Sequence, residues 1–168
     1  MTPEKIIGRF LGIDPGLNFT GWGIIDYINA DKFTYIASGV IKTVPKMEYS
    51  QRLNHIFNQL LKIIENYSPN HAAIEDTYVN VNNKSSIMLA QAKAASIIAI
   101  SQNNIPLVEY AAKKVKKTIS GTGNADKSQI IKMISYWLPN ISVKFSDEAD
   151  ALAIALCHAS HYKHSEKI

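Results

Sequence analysis

At 168 residues the chain can bury a full hydrophobic core without disulfide or metal staples, and it reads as a single domain over 1–168. Its single cysteine, Cys157, excludes an internal disulfide framework and points to a reducing compartment. No apolar run reaches membrane-spanning length and Met1 to Arg9 lacks the apolar centre of a secretory signal, so a soluble cytoplasmic protein with no membrane partner is expected. The net charge of +4 is modest, but Lys113, Lys114, Lys116, Lys117, Lys127, Lys132 and Lys144 stand against the single acid Asp126 between Ala111 and Lys144. That distribution suits a polyanion such as nucleic acid, although each lysine taken singly reads as a solvated surface.

Taken in chain order, an apolar run from Phe10 has strand character, ends in the carboxylate Asp14 and is broken at once by Pro15-Gly16. Gly21 to Tyr27 is expected to return antiparallel beside it, and Lys32 to Ile41 to complete a meander. From Ser50 the period changes. Leu53, Ile56, Phe57, Leu60, Leu61 and Ile64 follow helical spacing to Tyr67-Ser68-Pro69 and read as core. His71 to Glu75 is a short fourth strand that also ends in a carboxylate. Asp76 to Ser86 has loop character and carries an isolated aromatic, Tyr78.

An Ala-rich helix is expected from Ser85 to Gln102, then a fifth strand over Pro106 to Tyr110, parallel to the first and fourth because helices intervene. A basic helix over Ala112 to Ile119 leads into the loop Ser120 to Ala125, whose Gly121 and Gly123 lack the strand-to-helix setting of a nucleotide fingerprint. Lys127 to Trp137 carries Ile130, Ile131, Ile134 and Trp137 on one face, and Pro139 follows it. The last helix starts near Ser146 or Asp147 and runs toward His161. Its His158, with His161 and His164, is spaced around the helix rather than gathered for zinc, so surface or helix-end histidines are expected.

Chemistry concentrates on four acids. Asp14 at a strand end reads either as a metal ligand, since a buried carboxylate needs a partner, or as a turn cap before Pro-Gly. Glu75 ends another strand on the same sheet edge, where functional residues of α/β sheets gather. Asp147 and Asp150, at i and i+3 in a first helical turn, share a face; taken alone they are also well explained as helix-terminal acids facing the macrodipole. Four acids from three distant segments suggest an oxygen cage for two hard cations, most simply Mg²⁺.

The order of meander, helix, strand, helix, strand and terminal helix, with acids at these points, resembles the ribonuclease H-like nucleases. More narrowly, Gly12-Ile13-Asp14-Pro15-Gly16, Ala73-Ile74-Glu75, Glu109-Tyr110-Ala111-Ala112 onward to Val115-Lys116, Gly121-x-Gly123-x-Ala125-x-Lys127-x-Gln129 and Asp147-x-x-Asp150-Ala151-Leu152-Ala153-Ile154-Ala155 resemble the RuvC family of Holliday junction resolvases. The likeness is collinear from Phe10 to about His158.

It implies an α/β, ribonuclease H-like fold with a five-stranded mixed sheet and helices on both faces, flanked by an extension over 1–8 and a tail over 162–168. It places catalytic, metal-ligating roles on Asp14, Glu75, Asp147 and Asp150, and base stacking on Tyr78, where the family commonly has phenylalanine. Lys116 and Lys127 take the family's basic, DNA-contacting positions. The implied reaction is two-metal hydrolysis of DNA at a four-way junction, with two Mg²⁺ per site or Mn²⁺ in substitution, giving 5′-phosphate ends in recombination and repair. The implied assembly is a homodimer, with the Ala-rich helix as the candidate surface, and the implied partners are the branch-migration proteins RuvA and RuvB. Asp76, beside Glu75, departs from the pattern by adding negative charge that opposes phosphate unless it points away.

Competing readings are a sugar-kinase or actin-type ATPase, which needs a second lobe the chain is too short to hold, a ribonuclease H acting on hybrids, and a noncatalytic junction binder.

Overall fold

The computed structural model describes residues 5–29, 32–77, 84–139 and 141–165. Three antiparallel strands, β1 (Gly8–Asp14), β2 (Phe19–Asn29) and β3 (Lys32–Lys42), form the expected meander. Helix α1 (Tyr49–Tyr67) leads to β4 (His71–Asp76), and α2 (Lys84–Gln102) to β5 (Leu107–Ala111). Then come α3 (Ala112–Ser120), α4 (Lys127–Trp137) and α5 (Ser146–Ser165). The sheet order is β3-β2-β1-β4-β5, with β4 parallel to both β1 and β5. Among the described residues no helix is long and apolar enough to cross a membrane.

Strand periodicity explains why β1 reads as one continuous apolar run. Successive side chains point to opposite faces, and both faces are covered. Leu11 and Ile13 pack with Ile56, Leu60 and Ile64 of α1 and with Ala92, Ala99 and Ile100 of α2. Phe10 packs on the other face with Leu152, Leu156 and Ala159 of α5 and the inner faces of α3 and α4. Phe10, Leu11 and Ile13 are fully buried, which contributes on the order of 1.5–3 kcal/mol for each side chain.

The last helix lies very close to the sheet, and two glycines allow it. A Cβ on Gly12 would stand 2.1 Å from the Ala151 carbonyl oxygen, and one on Gly21 would stand 2.0 Å from that of Asp147. Any side chain at either position would lift α5 off the strands, and with it the two aspartates of its first turn.

Three expectations are refined. On α1 the buried stripe is Arg52, Ile56, Leu60, Ile63 and Ile64, while Leu53, Phe57 and Leu61 are only half-buried. On α2 the alanines divide: Ala92 and Ala99 pack inward, whereas Ala94 is exposed and flanked by the exposed Ile87 and Ile98. His158 is corrected outright, for it is buried rather than on the surface. Its ring Nδ1 lies 3.0 Å from the Tyr110 hydroxyl, and Phe10 stands edge-on to it. Residues 151–159 of α5 are buried without interruption, so no polar stripe remains in that stretch for a histidine to occupy.

Candidate active site

The sheet brings Asp14 and Glu75 to one edge on one face. The parallel register of β1 and β4 pairs Gly12 with Ala73 and Ile13 with Ile74, so the next step sets Asp14 beside Glu75. Alternation sends Phe10, Gly12 and Asp14 toward α5. Asp14 is paired across β1 and β2 with Gly21, the residue on which the start of α5 rests, and this brings Asp147 and Asp150 over the same edge.

The acids act on one another. Burial, followed by the charges of Glu75, Asp150 and Asp147, pushes Asp14 from its ordinary 3.8 up to about 8, and Lys127 only partly offsets this. Glu75 is raised by burial and then by Asp150, with Lys116 opposing. Asp150 is raised by burial, while Lys127 pulls it back. Such a cluster holds more negative charge than its surroundings neutralise, the condition a divalent cation relieves.

Among the described residues, no three carboxylate, imidazole or thiolate groups close on one point as a preformed cage. Magnesium does not need one. It binds through one or two carboxylates and keeps waters and substrate phosphate oxygens around it, and this all-oxygen donor set fits that habit.

The two expected lysines reach the cluster from separate helices. Lys127 Nζ lies 3.6 Å from Asp150 Oδ2. It stands at the first position of α4, fixed by a capping box in which the Gln129 N–H donates to Asp126 Oδ1 and the Asp126 N–H to Gln129 Oε1, both at 2.9 Å. Lys116 is exposed on α3, near enough to Glu75 and Asp150 to lower both. Gly121 ends α3 as a left-handed cap with φ of 82°. Tyr78 lies outside the described residues.

Asp76 points to the opposite face from Glu75, and its charge still adds to the rise of the Glu75 carboxyl. On that opposite face Lys93 of α2, nearly buried, donates to Asp76 Oδ1 at 3.3 Å and to Glu109 Oε2 at 2.6 Å. Sequence reasoning missed Lys93, along with two other supports. Glu148 is buried and accepts from Ser38 Oγ at 2.5 Å and the Lys144 N–H at 3.0 Å, which tethers the start of α5 to β3 instead of joining the cluster. Arg52, buried on α1, donates to Thr43 Oγ1 at 2.9 Å and to Asn18 Oδ1, and so holds the turn after Asp14. Only a polar residue placed on an apolar helical stripe hinted at Arg52.

A mixed sheet of this order, with acids at the ends of β1 and β4 and at the start of a helix packed across them, defines a ribonuclease H-like nuclease. The family described as crossover junction endodeoxyribonuclease RuvC matches residues 10–158. This chain belongs to that family. It is 44% identical over 151 residues to the crossover junction endodeoxyribonuclease RuvC of Wolbachia pipientis wMel, covering 90% of this chain and 93% of that one. With the enzyme of that name from Granulibacter bethesdensis it shares 42% over 159 residues, 95% of this chain and 89% of the other. Its structure matches that of Thermus thermophilus RuvC in complex with a Holliday junction substrate at a TM-score of 0.88 and 28% identity, over 94% and 96% of the two chains.

Proposed function

We propose that this chain is a structure-selective endodeoxyribonuclease that resolves four-way DNA junctions by paired symmetric nicks in recombination and repair. The observation that carries this is the group of four acids from β1, β4 and α5, where burial and then the neighbouring charges raise the Asp14 carboxyl to about 8, in a chain of the RuvC family. In this reading Asp14, Glu75, Asp147 and Asp150 hold two divalent cations, Mg²⁺ or Mn²⁺ in its place. When bound, these supply the charge that activates the attacking water and stabilises the leaving 3′ oxygen.

The chain's own groups set the geometry. Asp14 would hold a cation as its carboxylate, and the turn held by Arg52 and Asn18 keeps that side chain at the strand end. Lys127, beside Asp150, and Lys116, near Glu75, grip the phosphates on either side of the broken bond. Water adds to phosphorus, the P–O3′ bond breaks, and the products carry a 5′ phosphate and a 3′ hydroxyl. Tyr78 stacks on an unpaired base at the junction centre, so Tyr78→Ala lowers cutting by an interaction of about 1–3 kcal/mol while Tyr78→Phe preserves it.

Two nicks need two sites, so the working unit is a two-fold homodimer. The exposed Ile87, Ala94 and Ile98 of α2, beside the half-buried Leu53 and Phe57 of α1, support these helices as the shared surface. RuvA and RuvB are the partners proposed from family membership.

A substrate panel tests the reading. Four-way junction, linear duplex and RNA–DNA hybrid are each incubated with and without Mg²⁺, and a cruciform plasmid is cut in parallel. Junction-selective, Mg²⁺-dependent cleavage that linearises the plasmid is expected. Preferential cutting of hybrid, or junction binding without cutting, overturns it.

A further inference from the structure

The sequence reading left Phe19 and Phe145 without a role, and the fold sets each of them beside Lys42. Phe19 opens β2 as the cross-strand partner of Lys42 at the end of β3, and the Lys42 ammonium sits 4.4 Å from the centre of the Phe145 ring. Phe145 directly precedes Ser146, the first residue of α5, and is two residues before Asp147. Both rings lie largely outside the core, with Phe19 49% and Phe145 46% exposed. One exposed phenylalanine needs no explanation, but two flanking one lysine, the ring of Phe145 against its ammonium and Phe19 across the strand from it, form a patch of defined chemistry.

Register gives the face of the patch. Gly21 faces α5, so Phe19, two residues earlier, faces the same side. Ser38 of β3 bonds Glu148 of α5, so Lys42, four residues later, faces that side too. This is the face of the carboxylates. Phe19 stands about 7 Å along the strand from Gly21, at roughly 3.3–3.4 Å per residue, and Gly21 touches Asp147. That distance spans about two stacked nucleotides at 3.4 Å each. Lys42 lies on edge strand β3, whereas Lys116 lies on the helix after the opposite edge strand, β5.

We propose that Phe19, Lys42 and Phe145 form a second contact for the cleaved strand, in which an aromatic ring stacks on an unpaired base one or two nucleotides from the scissile phosphate and Lys42 holds the adjoining phosphate. The proposal deepens the junction-cutting reading and rests on it for the ligand. A polar-edged aromatic pair with one cation suits single-stranded DNA, because every base offers a π-face and every linkage a negative charge. The acids repel a phosphodiester until cations arrive, so a neutral stacking surface at their border supplies affinity that charge there does not. The contact acts on both binding and choice of cleavage position, since it fixes which linkage reaches the acids.

The test uses a synthetic four-way junction with 2-aminopurine placed at each of the two nucleotides on either side of the cleavage point, in Ca²⁺ for binding and Mg²⁺ for cutting. Wild-type protein is expected to change the probe's fluorescence at one of these positions. Phe19→Ala with Phe145→Ala abolishes that change, weakens junction binding about 5- to 100-fold and spreads the cleavage position, while Phe→Tyr at both sites retains all three. Lys42→Ala lowers the salt slope of binding by about one unit. Thermal melts of the variants are expected to match wild type, because the rings are exposed. A double alanine variant with unchanged affinity, probe signal and cleavage map overturns the contact. Wild type that shows the probe signal but never cuts in Mg²⁺ supports the contact and overturns the nuclease reading instead.

Discussion

Phe10 and Asp14 lie four residues apart on β1 and face the same helix, yet their surroundings oppose each other. At Asp14 the sheet edge collects acids, and burial together with their charges holds a proton there up to about 8. At Phe10 it collects rings: His71 stacks on Phe10 at 4.6 Å, and His158 stands edge-on at 5.3 Å. Burial, then His71 and His161, presses the His158 imidazole down to about 4, so it stays neutral and bonded to Tyr110. One end keeps its carboxyl groups crowded and only partly offset by lysines. The other keeps its polar groups neutral and packed, and that rigid end anchors the helix whose first turn supplies Asp147 and Asp150.

The sharpest way to break this contrast is at the acids. Asp14→Asn, Glu75→Gln, Asp147→Asn and Asp150→Asn are each expected to lower junction cleavage by at least about 10²–10³-fold with junction binding retained. Gel-shift and cleavage assays on one labelled junction check this, and near-normal turnover of any variant removes that acid from the ligand set. Behind them, Lys93→Met leaves Asp76 and Glu109 without their cation and is expected to cost about 10- to 100-fold in cleavage, with Lys93→Arg restoring most of it.

At the packed end, effects fall on stability instead. His158→Leu strands the Tyr110 hydroxyl and is expected to cost about 1–3 kcal/mol in denaturant melts with cleavage per folded molecule unchanged. The smallest effects are two opposite pH slopes in the metal-free protein. The stability Asp14 lends through its raised pKa is full below its unfolded value of 3.8 and is lost as pH rises toward about 8. For His158 the unfolded chain binds the proton first, so stability falls as pH drops from 6.5 toward about 4. Asp14→Asn should flatten the first slope and His158→Leu the second, as read by melting temperature against pH.

Which end was legible follows from where each signal resides. Asp14 and Glu75 announce themselves as carboxylates that terminate apolar strands, and helical spacing pairs Asp147 with Asp150, so the acids and the sheet that joins them were readable along the chain. His158 was misplaced because spacing to His161 and His164 was weighed while the unbroken apolar run around it was not. Lys93 and Glu148 could not be found by period at all, since their meaning depends on Asp76, Glu109 and Ser38, which tertiary structure alone brings near. Arg52 left a faint trace, a cation on an apolar stripe, that only its bond to Asn18 makes intelligible.

In the proposed reading the acid edge takes a divalent cation, and protons leave as it binds. Calorimetric titration of Mg²⁺ into the protein at pH 7, repeated in buffers of different ionisation enthalpy, counts the protons expelled on binding. About one proton per chain is expected from wild type and none from Asp14→Asn, because the Asp14 carboxyl near 8 must ionise to become a ligand. Binding of Mg²⁺ with no proton release, or with the same release in Asp14→Asn, contradicts it.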